Sequence, residues 1–517
     1  MQTDFSAWRG NFCIEVSPIP NTVVIFGASG DLAYKKLLPA LFSLYRRKLF
    51  HEKSRIVGCA RSEMDNNSFR ERVKKSLHDA HKGNTDIAML ENFLSIISYA
   101  QVQYDDINSF NALAGKLCAS ENERCSEASR IYYLATPVAL YENIISNLSK
   151  SGLLEENYEG YPWRNVVIEK PFGHDLQSAK ELDKFLSGVI KERQIYRIDH
   201  YLGKETVQNI LMMRFANRIF EPLWSNHYID SVQITSAESI GIENRAGYYE
   251  KAGLLRDMFQ NHMLQMLSLV AMEAPSSFEA DRVRDEKVKL LSSIRPFNVD
   301  RLSEDIIRGQ YVPGIVNDAP VKGYTEEEGV NPDSQIETFV AARFFIDNWR
   351  WQGVPFYIRS GKRMKKRVSE IAITFKRVPH SIFTPIRAED LAPNTLVLNV
   401  QPEEGLALTI QAKQPGPKLC MGNLTMDFKY DQIFQGEKPE AYERLLLDCM
   451  LGDQTLFIRS DNILTSWSLL TPVLEAWENE KDSAKTGKLF KYKSGSWGPD
   501  ESDKLIAKSN TIWRNID

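Results

Sequence analysis

T-V-V-I-F-G-A-S-G-D-L-A, residues 22–33, is the stretch on which the fold of this chain depends. A short strand-like run leads into a turn with glycines at 27 and 30, and a helical pattern follows. Glycine lets the backbone turn sharply and approach a ligand closely, and the first turn of a helix carries partial positive charge. A strand, a glycine turn and a helix in this order predict the start of a doubly wound α/β domain.

The same alternation of short apolar runs and longer amphipathic segments continues to about Asp199. Segments 32–49 and 140–153 carry apolar residues at three- and four-residue spacing, which is typical of helices that cover a sheet. The strand candidates are Thr22–Phe26, Arg55–Cys59, Ile131–Leu134 and Val166–Ile168. Repeated βα units of this kind predict a parallel sheet in a Rossmann-like α/β domain over residues 20–199.

The pattern changes after residue 200. One long apolar helix is predicted over Leu254–Met272, and alternating runs follow at 339–345, 370–375 and 395–400. Because alternation favours an antiparallel sheet with one covered face, we predict an α+β domain over the remainder of the chain. The predicted organisation is therefore α/β plus α+β, with an extension over 1–19 and domains over 20–199 and 200–517.

The composition is that of a globular protein, with 43% apolar and 26% charged residues. The net charge of −4 gives no general attraction to nucleic acid or anionic lipid, so neither partner is expected. No segment approaches the length of a membrane span, and residues 1–16 have no continuous apolar run of the kind found in a secretory signal. The six cysteines form no C-x-x-C pair, so we expect free buried thiols and a reducing cytoplasm.

The glycine turn is a candidate dinucleotide site. Its spacing, G-x-x-G-x-x-A, matches the usual G-x-G-x-x-G only weakly, and an ordinary glycine turn is the alternative. Its position after the first strand of a βα series favours the dinucleotide. The second strand candidate leads to Arg61, where a site for NAD usually has an acidic residue, so Arg61 favours the 2′-phosphate of NADP. A solvated loop charge is the alternative for Arg61.

Three later segments are rich in side chains that can take part in chemistry: E-K-P-F-G at 169–173, R-I-D-H-Y-L-G-K-E at 197–205 and R-D-M-F-Q-N-H at 256–262. The first follows a predicted strand, at the sheet edge where a nicotinamide ring would lie. In the second, His200, Tyr201 and Lys204 offer hydrogen-bond donors suited to a phosphate dianion.

His262 has two interpretations. Met258, Phe259 and Met266 lie at helical spacing from it, which favours a core histidine. Oxidation of a hydroxyl requires a base that takes the proton as the hydride leaves. A histidine held by a carboxylate such as Asp199 is a usual device for this near neutral pH. The residue pattern alone leaves both interpretations open.

Together these motifs resemble the glucose-6-phosphate dehydrogenase family. The matching segments are G-A-S-G-D-L-A at 27–33, E-K-P-F-G at 169–173, R-I-D-H-Y-L-G-K-E at 197–205, R-D-M-F-Q-N-H at 256–262, R-S-G-K at 359–362, F-I-R-S-D at 457–461 and W-G-P at 497–499. They extend over nearly the whole chain apart from the first twenty residues. The R-I-D-H-Y-L-G-K-E string is highly specific for this family.

The resemblance implies NADP-dependent oxidation of D-glucose 6-phosphate at C1 to 6-phospho-D-glucono-1,5-lactone, the first step of the oxidative pentose phosphate pathway. It implies that His262 is the general base, that Asp199 orients its ring, and that no metal is needed. The groups expected to hold the 6-phosphate are His200, Tyr201, Lys204 and Lys362, and those expected to bind the rest of the sugar phosphate are Lys170, Glu238, Asp257, Arg367 and Gln401. The residues expected to contact NADP are Gly27, Ser29, Gly30, Asp31, Leu32, Arg61, Tyr141 and Lys170.

A homodimer or homotetramer is also implied by the resemblance. Two other functions stay open: a dehydrogenase for an unphosphorylated sugar or another sugar phosphate, and a dinucleotide-sensing protein that lacks the chemistry. The grouped cations argue against an uncharged substrate, and the intact base argues against a sensor. The basic run 362–367 is better explained as a solvated turn than as a nucleic-acid patch. A second, structural NADP is not expected, because Val368 and Ala372 stand where that site would need charge.

Overall fold

The computed structural model describes residues 18–80, 86–121, 128–156, 160–384, 386–417, 420–433, 439–479, 487–508, 511–514 and 516. The predicted extension over residues 1–19 falls almost wholly outside these ranges, as do Cys13 and Cys125.

Six parallel strands form the first sheet, in the order β3-β2-β1-β4-β5-β6. Their bounds are β1 Asn21–Phe26, β2 Arg55–Ala60, β3 Ile97–Gln101, β4 Ser129–Leu134, β5 Arg164–Ile168 and β6 Ile195–Arg197. Every residue of β1, β4 and β5 is buried, because crossover helices cover both faces of the sheet. These helices are α1 Leu38–Arg46, α2 Asn66–Ala80, α3 Ile87–Ser95, α4 Ile107–Glu121, α5 Tyr141–Lys150 and α6 Leu176–Val189.

The Rossmann-like domain predicted from the sequence is confirmed. All four predicted strands are present, but β3 and β6 were not predicted. β3 has the mixed pattern I-S-Y-A-Q and β6 has only three residues, so neither produces a clear apolar run. The strand order reverses between β1 and β4, and the crevice at their carboxyl ends is where doubly wound sheets bind ligands.

Nine strands form the second sheet, in the order β16-β15-β14-β13-β7-β12-β11-β8-β17. It is mainly antiparallel, as predicted, although β12 pairs with β7 and β17 with β8 in parallel. A separate hairpin contains β9 and β10. The bounds are β7 Ile229–Ala237, β8 Ile306–Val312, β9 Gly314–Val316, β10 Ala319–Val321, β11 Phe339–Phe344, β12 Phe356–Gly361, β13 Val368–Phe375, β14 Thr395–Gln401, β15 Gly405–Lys413, β16 Met421–Lys429 and β17 Leu489–Lys493.

The prediction that one face of this sheet is covered is wrong for its central strands. All six residues of β12 are buried, as are the first six of β13. A second apolar cluster, which includes Tyr357 and Trp513, covers the face opposite the main core. The outer strands β15 and β16 are more accessible: two residues of β15 and none of β16 are buried.

The helices of the second half are α7 Glu205–Phe215, α8 Ala246–Leu254, α9 Leu264–Ala271, α10 Ala280–Ser292, α11 Tyr430–Ile433, α12 Ala441–Leu451, α13 Ser460–Glu478 and α14 Asp500–Ala507. Two π-helical segments precede α1 and α9, at Ala33–Leu37 and Leu255–Met263. Short 3-10 turns occur at Val138–Leu140, Glu192–Gln194, Glu221–Leu223, Glu243–Arg245, Val299–Glu304, Tyr324–Glu326 and Ala388–Asp390.

The long helix predicted over Leu254–Met272 is present, but its first nine residues are π-helical. Gly253 precedes it with a φ of +63°, a left-handed conformation that suits glycine. The buried Glu337 carboxylate accepts a hydrogen bond from the backbone N–H of Leu255 at 2.9 Å, which satisfies one of the free donors of the first turn. This segment carries Asp257 and His262.

The C-terminal helices pack back onto the first domain. Ser43 of α1 donates to Glu443 of α12 at 2.7 Å, and the backbone N–H of Ile458, just before α13, donates to the carbonyl of Arg197 at 3.1 Å. The two halves of the chain therefore share an extensive boundary, and the domain division at residue 199 stays a prediction.

The expectation of free buried thiols is only partly met. Cys59 and Cys449 are free and buried, but Cys420 is exposed and Cys118 is disulfide-bonded. The sequence did not predict this bond, because the six cysteines form no C-x-x-C pair. Within the described ranges, no helix combines the length and apolarity needed to cross a bilayer.

Candidate active site

A cavity of about 820 Å³ opens where the carboxyl ends of the first sheet meet the second sheet. Leu32, Thr136 and Glu169 line it from the nucleotide-binding side. The other predicted residues that line it are Lys170, His200, Tyr201, Lys204, Glu238, Asp257, His262, Lys362, Arg367 and Gln401. Residues as far apart in the sequence as Leu32 and Tyr442 therefore meet in one cavity.

Asp199 and His262 form a buried pair at the base of this cavity. His262 Nδ1 lies 2.5 Å from Asp199 Oδ1, and each side chain is only 1% exposed. The same oxygen accepts the backbone N–H of Tyr201 at 2.9 Å, which fixes the carboxylate in the turn after β6. Burial would raise the pKa of Asp199, but its interactions with the His262 ring, including the Nδ1 hydrogen bond, outweigh that effect and hold the pKa below its usual range.

Lys170 defines which nitrogen of His262 carries the proton. Its Nζ lies 2.9 Å from His262 Nε2, and an ammonium can only donate hydrogen bonds. Nε2 must therefore be an acceptor, and the ring proton lies on Nδ1, where it is donated to Asp199. The imidazole is thus neutral, and its Nε2 electron pair accepts the hydrogen bond from Lys170 on the cavity side of the ring.

The environment of His262 keeps it in this neutral form. Burial lowers its pKa, and although Asp199 opposes that effect, the Lys170 ammonium adds to it. The Tyr201 ring stacks on the imidazole with centroids 4.2 Å apart, and the His200 ring meets it edge-on at 4.6 Å. A histidine held neutral and oriented by a carboxylate is suited to accept a proton from a substrate hydroxyl.

Two carboxylates and a lysine line the next part of the cavity. Lys362 pairs with Glu238, and its Nζ lies 3.7 Å from Asp257 Oδ2. Asp257 also accepts hydrogen bonds from Lys170, through its carbonyl at 3.0 Å and its carboxylate at 3.3 Å. Burial would raise the pKa of Asp257, but Lys170 and Lys362 outweigh it and hold the pKa well below normal. These ionised acceptors are suited to the hydroxyl groups of a sugar.

The cations predicted to hold a phosphate are divided between two groups. Lys204 and Arg367 both donate to the side-chain oxygen of Gln401, at 2.6 and 3.4 Å. Burial, with a smaller contribution from Arg367, lowers the pKa of Lys204 to about 8. Lys362 was expected in this group, but the structure pairs it with the carboxylates instead. An anion that joins Lys204 and Arg367 would relieve the repulsion between them.

The glycine turn after β1 fits a dinucleotide. Gly27 has a φ of +81°, and a Cβ on it would lie 2.4 Å from the carbonyl oxygen of Ala135. Only glycine therefore allows the ends of β1 and β4 to approach this closely. The backbone forms a shallow depression at the point where the strand order reverses, and a dinucleotide would fit there. Gly30 closes the turn, with its N–H donating to the carbonyl of Gly27 at 2.9 Å, and the helix begins directly after it.

Arg61 lies beside this turn. Its guanidinium is 5.8 Å from the centre of the Tyr104 ring, and the Tyr104 hydroxyl accepts the backbone N–H of Gly27 at 3.0 Å. Arg61 is exposed, so its charge is available to a ligand phosphate near the turn. Asp31 is also exposed and pairs with Lys35 at 2.9 Å, whereas Ser29 is half-buried.

Of the predicted cofactor residues, Leu32 and Lys170 line the cavity, and Tyr141 is not among its lining residues. It is fully buried, and its hydroxyl bonds to the backbone of Glu169, donating to the carbonyl at 3.1 Å and accepting the N–H at 3.2 Å. This contact supports the turn that carries Lys170. A direct contact between Tyr141 and the cofactor stays a prediction.

The sequence assigned no role to several residues that line the cavity. The Glu169 carboxylate accepts hydrogen bonds from Tyr133 at 2.5 Å and Tyr442 at 3.2 Å, so two distant tyrosines fix it beside Lys170. Tyr248 donates to Asp257 at 3.3 Å, and Arg245 lies nearby in the lining. The position of Glu169 after β5 was the only available signal, since no motif marks the other residues.

Asp199, His200 and His262 come close enough together to suggest a metal site. The Lys170 ammonium already lies at the free nitrogen of His262, however, and it would repel a metal cation. The donor set is therefore better suited to proton transfer.

A neutral histidine directed toward the crevice of a Rossmann-like sheet, beside a cradle for a dinucleotide, is the arrangement of nicotinamide-dependent dehydrogenases. Two family matches narrow that class. Residues 24–209 match "Glucose-6-phosphate dehydrogenase, NAD binding domain", and residues 211–514 match "Glucose-6-phosphate dehydrogenase, C-terminal domain". The chain belongs to the glucose-6-phosphate dehydrogenase family, and it is an oxidoreductase.

Individual relatives agree over almost the full length. The chain is 44% identical over 500 residues to the glucose-6-phosphate 1-dehydrogenase of Chlamydia pneumoniae, with 96% of each chain covered. It is 42% identical to that of Bacillus subtilis, covering 96% of this chain and 98% of the relative. A solved structure described as glucose-6-phosphate dehydrogenase in complex with its substrate glucose-6-phosphate superposes with a TM-score of 0.87 at 37% identity, covering 97% of this chain and all of that one.

Proposed function

We propose that this chain oxidises D-glucose 6-phosphate at C1 to 6-phospho-D-glucono-1,5-lactone with NADP as the acceptor, and that His262 is the general base. The observation that carries the proposal is the neutral His262, held by Asp199 and open to the cavity through Nε2. The substrate-bound relative supports the choice of sugar phosphate, since 37% of its residues are identical.

The proton follows a short path in this mechanism. The C1 hydroxyl takes the place of the Lys170 ammonium at Nε2 of His262, and Nε2 accepts its proton. Asp199 stabilises the imidazolium through the Nδ1 hydrogen bond, which strengthens as positive charge develops on the ring. Lys170 stays close to the reacting oxygen and favours its negative charge. NADP, which the turn around Gly27 and Gly30 would hold, would supply the acceptor for the hydride from C1.

The remaining residues hold and orient the two ligands. Lys204 and Arg367, with His200, bind the 6-phosphate, while Glu238, Asp257 and Gln401 accept or donate hydrogen bonds to the sugar. The turn around Gly27 and Gly30 holds the pyrophosphate of NADP, and Arg61 binds its 2′-phosphate. The pairing of Lys362 with Glu238 and Asp257 supports a role for Lys362 in aligning these carboxylates.

The experiment is an initial-rate assay that follows reduced nicotinamide, with glucose 6-phosphate or glucose and with NADP or NAD, on the wild type and on His262→Asn. We expect the wild type to prefer glucose 6-phosphate and NADP. We expect His262→Asn to lose about 10²–10⁴-fold in kcat, because general base catalysis typically contributes that much. NADPH binding, measured by fluorescence titration, should be nearly unchanged. Turnover retained by His262→Asn would assign the base to another residue.

We also propose a homo-oligomer. Leu424 and Phe428 on the edge strand β16 are 49% and 41% exposed, which supports pairing of this sheet between copies. Light scattering coupled to gel filtration would test it, and a monomeric mass would reject it. The cytoplasmic location stays a prediction, to which the disulfide at Cys118 lends no support.

A further inference from the structure

Two buried serines link Gln401 to Tyr201, whose ring stacks on His262. Ser236 on β7 and Ser369 on β13 lie opposite each other in adjacent antiparallel strands, and both side chains are fully buried. The proposed mechanism gives neither of them a role. Because a buried hydroxyl group is unfavourable without hydrogen bonds, the partners of these serines indicate what they do.

The serine hydroxyls belong to a continuous hydrogen-bonded chain. Gln401 on β14 donates from Nε2 to Ser369 Oγ at 2.9 Å. Ser369 Oγ lies 3.1 Å from Ser236 Oγ, and Ser236 Oγ lies 3.2 Å from the Tyr201 hydroxyl. The chain therefore extends over three neighbouring strands of the second sheet and ends at a tyrosine that lines the cavity.

Two cations fix the orientation of the amide at the other end of the chain. Lys204 and Arg367 meet the side-chain oxygen of Gln401, at 2.6 and 3.4 Å. A lysine or an arginine can only donate hydrogen bonds, so the oxygen of the amide must face these two groups. Its nitrogen must then face Ser369, and Ser369 Oγ must accept. The first hydrogen bond of the chain thus has only one possible direction.

Tyr201 can act as a donor at neutral pH. Burial raises the pKa of Tyr201, while hydrogen bonds from Ser236 and Ser369 oppose that effect, and the side chain stays a phenol. A phenol carries one proton, which it can donate only in one direction. If the Tyr201 oxygen accepts from a serine, its own proton is left for an acceptor outside the chain.

We propose that Ser236 and Ser369 are positioning residues for the substrate phosphate, because they set the direction in which the Tyr201 hydroxyl donates its proton. In this arrangement Ser369 donates to Ser236, Ser236 donates to Tyr201, and the Tyr201 proton goes to a phosphate oxygen. The inference rests on the proposed function, which places the phosphate at Lys204. The Lys204 ammonium lies 3.9 Å from the centre of the Tyr201 ring, so a phosphate that contacts this lysine also comes close to the tyrosine.

The first test compares Ser369→Ala with Ser231→Ala in the initial-rate assay. Ser231 is also fully buried on β7, but its hydroxyl has no hydrogen-bond partner in the described parts of the chain. We expect Ser369→Ala to raise the KM for glucose 6-phosphate about 3- to 10-fold, the equivalent of one net hydrogen bond. The kcat and the KM for free glucose should stay near their wild-type values, and Ser231→Ala should leave all three unchanged.

Ser236→Ala breaks the chain at its next link and should give the same rise in KM, so the test stands even if Ser369→Ala does not fold. Equal losses on both sugars would overturn the proposal, because a serine with a purely structural role affects both substrates alike. An equal rise in Ser231→Ala would overturn it as well.

The second test needs no catalysis. Calorimetry measures the binding of glucose 6-phosphate to the wild type, Ser369→Ala, Tyr201→Phe and the double variant. Ser369→Ala should weaken binding about 3- to 10-fold in the wild type. It should have little further effect in Tyr201→Phe, where the hydroxyl that the chain orients is missing. The same weakening in both backgrounds would show that Ser369 does not act through Tyr201 and would overturn the proposal.

The two proposals can be told apart when one fails. A wild type that prefers free glucose would remove the proposed substrate. A wild type that prefers glucose 6-phosphate, with an unchanged KM in Ser236→Ala and Ser369→Ala, would remove only the role of the serines.

Discussion

His262 satisfies both interpretations that the sequence left open. It is 1% exposed and lies in a buried helical segment, as a core histidine would, and it also lines the cavity, where its Nε2 accepts the hydrogen bond of Lys170. Burial is what makes it a useful base, because a neutral imidazole in a poorly solvated site keeps its electron pair available near neutral pH.

The first prediction at this scale concerns pH. Because burial and then Lys170 lower the pKa of His262 below 6.5, the imidazolium persists only in more acidic solution. An imidazolium cannot accept the substrate proton, so kcat/KM should rise with pH through a pKa below 6.5 and then level off. A pH profile of kcat/KM measures this directly, and an acid limb above 6.5 would contradict the assignment.

The second prediction concerns the phosphate. Lys204→Ala should raise the KM for glucose 6-phosphate by about 10- to 100-fold, because it removes a charge-assisted contact of about 1.5–3 kcal/mol. The KM for free glucose should change far less. The assay belongs at pH 7, below the pKa of about 8 for Lys204. Lys36→Ala is the matched control, since Lys36 also lines the cavity but pairs with Glu440 at 3.0 Å. Equal losses on both sugars would favour an unphosphorylated substrate.

The third prediction concerns the coenzyme. Arg61→Glu should lower the ratio of kcat/KM for NADP to that for NAD by at least about tenfold, because a cation is lost and a repulsive charge is gained. Lys53 is exposed and lies just before the start of β2, at the end of the strand away from Arg61. Lys53→Glu makes the same charge change there and should leave the ratio unchanged. An unaltered ratio in Arg61→Glu would mean that another residue binds the 2′-phosphate.

Among the structural elements, the segment 255–271 shows how the first turns of a helix can place side chains in a functional site. Gly253 turns the chain in a left-handed conformation, and Glu337 satisfies the N–H of Leu255. Glu337 is only 4% exposed, and this burial raises the pKa of its carboxyl group. The π-helical turns that follow bring both Asp257 and His262 to the cavity.

The turn after β1 carries the fourth prediction. Gly27→Ala should lower the free energy of unfolding by about 1–3 kcal/mol, the usual range for a strained left-handed residue, and should weaken NADPH binding. The added Cβ would otherwise lie 2.4 Å from Ala135. Gly115→Ala on α4 is the control, because no atom lies within 4 Å of its added Cβ. The Gly115→Ala change should raise the free energy of unfolding by up to about 1 kcal/mol. Urea unfolding and fluorescence titration measure both effects.

At the scale of the whole molecule, the C-terminal residues complete the second domain. Trp513 is 7% exposed, stacks under the Arg359 guanidinium at 4.4 Å and donates from its indole to the carbonyl of Ser502 at 3.0 Å. Arg514 pairs with Glu370 in the centre of β13. These contacts cover part of the second face of the sheet, on the side opposite the main core.

The fifth prediction tests whether the C-terminal residues stabilise the second sheet. Trp513→Ala should lower the free energy of unfolding by about 3–5 kcal/mol, the usual loss for a buried tryptophan. Ile512 is 80% exposed, so Ile512→Ala should have little effect. Urea unfolding followed by circular dichroism compares the two. Similar midpoints for both variants would mean that this segment does not stabilise the sheet.

Much of this architecture was predictable from local patterns. The strand, glycine turn and helix at 22–33 lie next to one another in the sequence, and so do the members of each site motif. The residues that complete the site lie far apart in the sequence. Asp199 and His262 are 63 residues apart, and Lys204 and Gln401 are 197 apart, so only the family resemblance brought them together before the structure did.

By itself, the sequence determined the parallel sheet, the nucleotide turn and the set of reactive side chains, because backbone propensity and apolar periodicity act over a few neighbouring residues. Only the tertiary structure decided which nitrogen of His262 carries the proton, that Lys362 pairs with carboxylates, and that Trp513 packs on the second face of the sheet. Burial and electrostatic pairing depend on groups that the fold brings together from distant positions. Their energies therefore cannot be read from neighbouring residues in the chain.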